Sequence, residues 1–445
     1  MFLQKLKLRN IRSLREVELD FASDVGLAAR QWTFLLGENG TGKSSVLRAL
    51  ALAIAGSEAV NELVGNPDDW IRLGANEASI EVQFTTSDNQ PRRAALNFQR
   101  GWNTIDLVEN NRADLSQIDS AVAKSERNYF IVGYGVTRRP QGGGTSFAVP
   151  GANFRTRRAR AMATLFSGDA SLVALEHWAM DLDYRRGGQG LNAVRTALDK
   201  LLPDVSFKHI DRERRQLIFD TLDGELPFSA LSDGYQAMAA WCGDLLWQIT
   251  ESFEDYSDPL RARGLLLVDE IDLHLHPVWQ RRLVSFLKET LPNVQVVVTT
   301  HSPLTVHQAG ENELFVLRRD DGEGVAIEGY EGAPNRLLLP QLLASPLFGL
   351  QTLDSPQVEQ LRDELRDLSL SDGKKQRSAA KQSRIRAIEG ELEGVSQWRE
   401  VPAYLQPTNR LLEEVAAQIG PGTNGTNSLK SLARRVNPDG DESDA

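Results

Sequence analysis

The run Gly37-Glu-Asn-Gly-Thr-Gly42-Lys43-Ser44 places three glycines, a lysine and a hydroxyl at the spacing that curls backbone N–H groups around phosphate oxygens. An apolar stretch from Trp32 to Leu36 runs into it, and Leu47, Leu50, Ala51 and Ile54 follow at helical spacing. A strand thus delivers the loop, and the partial positive charge of a helix N-terminus closes it. The spacing predicts a triphosphate cradle from Gly37, Asn39, Gly40, Thr41, Gly42 and Ser45. Lys43 would reach the β- and γ-phosphates of ATP, and Ser44 would ligate Mg2+.

A second element carries acids. Leu265-Leu-Leu-Val268-Asp269-Glu270 reads as a buried strand that delivers two carboxylates at its C-terminal end. Asp269 is expected to hold Mg2+, through water, and Glu270 to orient and activate the attacking water. General-base assistance is worth about 10²–10⁴-fold. A cradle, a metal and a water-orienting group form a sufficient set for phosphoryl transfer. His301 follows Val296-Val-Val-Thr-Thr300 and precedes Ser302-Pro303. A lone histidine at a strand end is more often a packing residue, so the order of the motifs around it gives it weight. Glu270-Ile-Asp272-Leu-His274-Leu-His276-Pro277 also has a ligand-like look, since His-x-His stands beside carboxylates.

These loops need a scaffold, and the hydrophobic pattern describes one. Leu6 and Leu8 alternate with Lys5, Lys7 and Arg9, while Val17, Leu19 and Phe21 alternate with acids, as in half-exposed strands. Further strands are expected at Ile80–Phe84, Ala94–Phe98 and Tyr129–Val132, with two short ones at Val205–His209 and Leu217–Asp220. Gly264–Val268 and Val294–Thr299 are continuous apolar or β-branched runs, and a helix over Val278–Leu291 separates them. Residues 155–202 read as mostly helical, and a long apolar helix is expected from Tyr235 to Ile249. Strands and helices in this rhythm indicate an α/β fold with parallel members, interrupted by a mid-chain helical insertion.

Composition narrows the class. With 445 residues and 41% hydrophobic content, the chain can bury large cores without a staple. Cys242 is the one cysteine, so an intrachain disulfide is excluded, and its apolar surroundings mark it as a core residue. The N-terminal residues alternate like a strand and no apolar run approaches bilayer length, so a cytoplasmic protein without a membrane partner is expected. A net charge of −11 argues against a whole-protein basic footprint. Between Arg127 and Gly168, however, no Asp or Glu occurs, while Arg138, Arg139, Arg155, Arg157, Arg158 and Arg160 all do. Nucleic-acid contact through Arg138, Arg139, Arg155, Arg157 and Arg158 is one reading, and a solvated surface with Arg138 or Arg139 near the ATP is the other.

Leu231-Ser232-Asp233-Gly234-Tyr235-Gln236, just before the long helix, resembles the signature motif of ABC-type ATPases. Together with the other motifs in their order, it gives a resemblance that covers roughly residues 1–330. The resemblance implies a P-loop NTPase fold of the ABC-ATPase head type: a mixed sheet with an antiparallel lobe and an inserted helical subdomain. It also implies a dimer with ATP between subunits, Ser232 and the Gly234 N–H binding the γ-phosphate held by the partner. Asp233 departs from the usual glycine, and its carboxylate must point away from phosphate. His301 resembles the switch histidine that contacts the γ-phosphate, and Glu270–Pro277 the loop that crosses the dimer interface, which is favoured over a separate metal site. For the glutamine that touches Mg2+ in this class, Gln83 alternates outward on its strand and Gln141 lies nearer the expected topological place.

The opening Leu8-Arg-Asn10-Ile-Arg12-Ser-Leu14, followed by Gly37-Glu-Asn-Gly, resembles the SMC/RecF-like branch. The signature, Val268–Pro277, Trp279-Gln280 and Thr299-Thr-His-Ser-Pro303 are similar to standalone ATPases of bacterial phage-defence operons, such as the Septu type, which acts with an HNH nuclease, and the PARIS type. That resemblance implies an ATPase that senses or gates for a partner effector, in most cases a nuclease. A DNA-repair clamp that binds DNA directly and a transporter cassette are the alternatives. About 115 residues follow Glu328, and they read as helical and then disordered, so no nuclease domain is expected among them. Val358, Leu361, Leu365 and Leu368 form one stripe, and Ile385, Ile388, Leu392 and Val395 another, as in a helical hairpin. The expected organisation is a first ATPase lobe over 1–154, a helical insertion with the signature over 155–234 and a second lobe over 235–332. A helical region for assembly or docking over 333–420 and a disordered acidic tail over 421–445 complete it.

Overall fold

The computed structural model describes residues 2–22, 29–86, 90–124, 130–138, 154–173, 175–202, 204–253, 256, 258–273, 275–320, 324–350, 352–370 and 379–393. The chain divides into two compact units, Met1–Leu342 and Leu343–Ala445.

The first unit begins with β1 (Phe2–Ile11), β2 (Leu14–Asp20) and β3 (Trp32–Gly37), followed by α1 (Lys43–Ala53) and α2 (Ser57–Leu63). Next come β4 (Glu77–Thr85), β5 (Pro91–Gln99), α3 (Thr104–Asn110), α4 (Arg112–Lys124) and β6 (Ile131–Tyr134). The middle holds α5 (Arg157–Ala161), α6 (Ala163–Phe166), α7 (Leu175–Leu201), β7 (Ser206–Asp211), β8 (Gln216–Thr221) and β9 (Gly224–Pro227). Then follow α8 (Asp233–Ser252), β10 (Gly264–Val268), α9 (Pro277–Thr290), β11 (Val294–Thr300), α10 (Pro303–Val306), β12 (Leu314–Asp320), β13 (Gly324–Gly329) and α11 (Leu339–Leu343).

Two sheets enclose the P-loop helix. In the antiparallel sheet β2-β1-β4-β5, Leu6 faces Leu19 and Val82 in register, and Leu8 faces Val17 and Ile80. This alternation puts every second residue into one core. The second sheet runs β13-β12-β3-β11-β10-β6, and its members from β12 to β6 are parallel. β10 and β11 are buried at every position, as expected of mostly apolar strands covered on both faces; the polar Gln295 of β11 is satisfied by the Leu3 backbone. α1 lies between the two sheets with Val46, Leu47, Leu50 and Ala51 fully buried. Parallel pairing brings the C-terminal ends of β3, β6, β10 and β11 to one edge, where the candidate site residues gather.

The region between the two lobes is helical through α5, α6 and α7, but it also folds a small antiparallel sheet, β7-β8-β9. Phe207 and Phe228 pack on Phe219 there, with ring centroids 5.7 and 5.9 Å apart. The second unit contains α12 (Pro356–Leu370) and α13 (Ala379–Leu392). Arg384 donates to both carboxylate oxygens of Glu364 at 2.7 Å, pairing the two helices, and Ile385 and Ile388 are buried. Val395 and the tail after Gly420 lie outside the described residues.

Candidate active site

The P-loop geometry follows from its glycines. Gly40 and Gly42 adopt φ of 79° and 93°, the left-handed region that side chains disfavour. A Cβ on Gly37 would stand 2.7 Å from the carbonyl oxygen of Leu317 on β12, so only glycine lets the strand end this close. Gly42 caps α1, whose first turn carries no acid, leaving its N–H groups for an anion. Lys43 is buried and donates to the carbonyls of Gly37 at 2.8 Å and Glu38 at 3.0 Å, folding back over its own loop. Burial lowers its pKa, and the negative charges of Glu270 and Asp269 work against that shift. Thr41 closes the loop by donating to the Glu38 carbonyl at 2.9 Å, Ser44 is half-buried and Ser45 buried.

Asp269 and Glu270 emerge from β10 two strands away. Asp269 is 1% exposed; its Oδ1 accepts from the Thr299 hydroxyl at 2.6 Å, whereas its Oδ2 is buried with no partner. A bare, buried carboxylate oxygen beside a phosphate cradle is a donor suited to a hard divalent cation or its water. Glu270 adopts φ 46°, a left-handed conformation that costs a non-glycine residue about 1–3 kcal/mol. Its half-exposed carboxylate lies 3.9 Å from His301 Nε2. Burial and the nearby Lys43 charge lower the His301 pKa, which keeps the imidazole neutral at pH 7 and able to donate or accept.

The segment after Glu270 is held by side chains. Thr300 donates to Asp272 Oδ1, Gln280 donates to the Leu275 carbonyl at 2.9 Å, and Ser302 donates to Gln280 at 2.7 Å. His276 accepts from Val278 N at 3.4 Å as the N-cap of α9. Its role is capping, and among the described residues no group of three His, Cys, Asp or Glu could hold a metal. His274 lies outside the described residues.

Ser232 is exposed as the N-cap of α8, and its side chain makes no capping bond, so its hydroxyl stays available. A Cβ on Gly234 would stand 3.0 Å from Trp279, which also meets Tyr235 edge-on at 4.6 Å. The signature turn therefore rests on α9.

The basic segment divides. Arg138 donates to the backbone carbonyls of Asp269, at 3.3 Å, and of Glu270, and its guanidinium lies 5.7 Å from the Trp241 ring. Arg158 donates to the carbonyls of Ala55, at 2.8 Å, and Ile54, closing the C-terminus of α1. Both guanidinium groups are engaged by backbone carbonyls, Arg138 beside Asp269 and Glu270, as in the second of the two readings, and Arg158 at the end of α1. Sequence reading counts charges in a segment, and here contacts decide. Arg155 and Arg157 are exposed, Arg157 donating to Ser252 at 2.9 Å, while Arg139 and Gln141 lie outside the described residues. Gln83 is exposed on β4. Sequence reasoning missed Thr299; the signal was a buried hydroxyl closing a run of valines. No described helix is long and apolar enough to cross a membrane.

A family model described as an AAA domain matches residues 5–132, and one described as an AAA domain, putative AbiEii toxin, Type IV TA system, matches residues 189–307. The Septu protein PtuA of Bacillus mycoides is 28% identical over 351 residues, covering 78% of this chain and 45% of the relative. The Retron Ec83 probable ATPase of Escherichia coli is 32% identical over 159 residues, covering 36% of this chain and 29% of the relative. The chain thus spans less than half the length of these relatives. A solved SMC head domain from Thermotoga maritima aligns with 74% of this chain and 100% of its own, at 18% identity and a TM-score of 0.45. With its P-loop between β3 and α1, its two acids after β10 and its similarity to Septu PtuA and to a retron probable ATPase, the chain has a mixed α/β P-loop ATPase fold.

Proposed function

We propose that this chain binds ATP with Mg2+ and hydrolyses it, dimerising around the nucleotide to gate a partner effector in bacterial phage defence. One observation carries the hydrolytic reading: Asp269 Oδ2 is buried without a partner in the charge field shared by Lys43, Glu270 and His301. Asp269 and Ser44 would hold Mg2+, which supplies charge neutralisation at the β- and γ-phosphates. Lys43 would turn from its own loop carbonyls to those phosphates. Glu270 would take the proton of the attacking water, and neutral His301 would hydrogen-bond the γ-phosphate.

Dimerisation draws support from Ser232, whose exposed hydroxyl starts an α-helix and makes no capping bond in its own chain. The effector role draws on the similarity to Septu PtuA, and a nuclease from the same operon is the effector proposed. The test has three parts. Purified wild-type protein should release phosphate from ATP only with Mg2+, and Lys43→Ala should neither bind nor hydrolyse it. Ser232→Arg should keep nucleotide binding yet fail to dimerise with ATP by light scattering. Co-expression with the neighbouring gene products should recover a stable complex with a nuclease. A Mg2+-independent wild type, or a Ser232→Arg dimer with full turnover, would remove the respective part.

A further inference from the structure

We propose that Thr299 is a positioning residue for this site, one hydroxyl fixing both the metal-facing oxygen of Asp269 and the direction in which Glu270 leaves its strand. The inference rests on the ATPase reading and deepens it, giving a role to a residue to which the motifs assigned none.

The argument starts from register. β10 and β11 pair in parallel with Val268 opposite Val298, so the next residues, Asp269 and Thr299, stand beside each other at the sheet edge. Thr299 is 0% exposed, and a hydroxyl buried in a valine-rich strand needs partners. It finds two on the neighbouring segment. Oγ1 donates its single proton to Asp269 Oδ1 at 2.6 Å, and the same oxygen accepts from Glu270 N at 2.7 Å. The Thr299 carbonyl then accepts from Ile271 N at 3.1 Å. One residue therefore engages three successive residues, 269, 270 and 271.

Both hydroxyl bonds bear on chemistry. Because Oδ1 is taken, Oδ2 is the oxygen that stays free, and it is the buried one without a partner. Because the Glu270 N–H is held, the left-handed turn at φ 46° keeps its carboxylate beside His301 instead of relaxing. Arg138 also holds this turn, donating to the carbonyls of Asp269 and Glu270. A metal ligand's hydrogen-bond partner of this kind is typically worth about 10–100-fold in metal affinity or activity.

Thr299→Val tests this, because valine keeps the shape and removes the hydroxyl, and three valines already occupy the preceding positions. ADP affinity is measured by calorimetry with and without Mg2+, alongside steady-state ATP hydrolysis and thermal unfolding. The expected result is Mg2+-free ADP affinity within about twofold of wild type, with the Mg2+-dependent gain reduced at least about tenfold. kcat should fall about 10–100-fold with KM nearly unchanged, and Thr299→Ser should restore both. A merely structural role would lower the unfolding temperature of the valine variant while leaving the Mg2+ dependence intact, and that pattern overturns the proposal. So does equal Mg2+ dependence in the valine and serine variants. If Thr299→Val does not fold, Thr299→Ala takes the same measurements. A wild type without ATP turnover would sink the ATPase reading, while the Mg2+-dependent ADP binding would still decide on Thr299.

Discussion

Tyr134 donates its phenolic hydroxyl to Asp244 Oδ2 at 2.7 Å, a buried bond that ties the last residue of β6 to α8. Tyr134 also meets Trp241 edge-on at 5.7 Å, and β6 pairs with β10 so that Tyr134 lies opposite Val268. The helix that starts at the signature turn is thereby fixed to the strand that delivers Asp269 and Glu270.

Asp244 should leave a pH signature in stability. Burial pushes its carboxyl pKa up to about 6, against the hydrogen bonds from Tyr134, Val173 and Gln248 that favour the charged form. The folded state then binds a proton more tightly than the unfolded chain, whose carboxyl titrates near 3.8. The sign follows: stability from this group is complete below pH 4 and is lost as pH rises through 6. Asp244→Asn removes that dependence. Its stability relative to wild type should rise by up to about 3 kcal/mol between pH 4 and pH 7 in denaturant titrations. A constant difference across that range would contradict the assignment.

Glu270→Gln should keep ATP affinity while lowering turnover by about 10²–10⁴-fold, because the amide cannot take a proton from water. Single-turnover phosphate release measures it. Gel filtration with ATP should show a long-lived dimer, and a monomer that hydrolyses at the wild-type rate would defeat the prediction.

Arg158→Ala should act on stability and not on nucleic acid. Removing the guanidinium leaves the Ile54 and Ala55 carbonyls at the end of α1 without their donor. The expected loss is about 2 kcal/mol by urea unfolding. Any DNA affinity should keep the same salt slope, since no phosphate contact is removed.

Gly37→Ala should disable the cradle. The added methyl would meet the Leu317 carbonyl at 2.7 Å and the Thr41 hydroxyl at 2.9 Å, so β3 or β12 must shift. Overpacking of this kind costs about 1–3 kcal/mol. Calorimetry should show ATP affinity at least about tenfold weaker, because the loop can no longer keep its curl.

Much of the scaffold was legible because burial writes itself into residue type. Gly264–Val268 and Val294–Thr300 are apolar or β-branched runs broken only by Gln295, and both are strands buried throughout. The half-exposed strands showed as alternation, Leu6 and Leu8 against lysine and arginine. β12 and β13 are not announced in this way, since Arg318, Arg319 and Asp320 close one strand and Gly324 opens the next. α3 was hidden by its polar residues, and its capping box of Asn103 and Asp106, not an apolar face, marks it. At the site, Lys43, Asp269, Glu270 and His301 could be found because their types match a reaction. Thr299 could not, because it acts through hydrogen bonds that join distant parts of the sequence, and Arg138 was legible only as a charge in a basic segment, not as a donor to the Asp269 and Glu270 carbonyls.

The order of strands in the central sheet has a consequence for biosynthesis. The P-loop strand β3 lies between β11 and β12, both made long after it, and pairs with neither until residues 294–320 exist. A nascent chain that has released only its first half exposes both edges of an apolar strand, a hazard for misassembly. Early-terminated products should therefore aggregate or be degraded, which ties nucleotide binding to completion of this sheet.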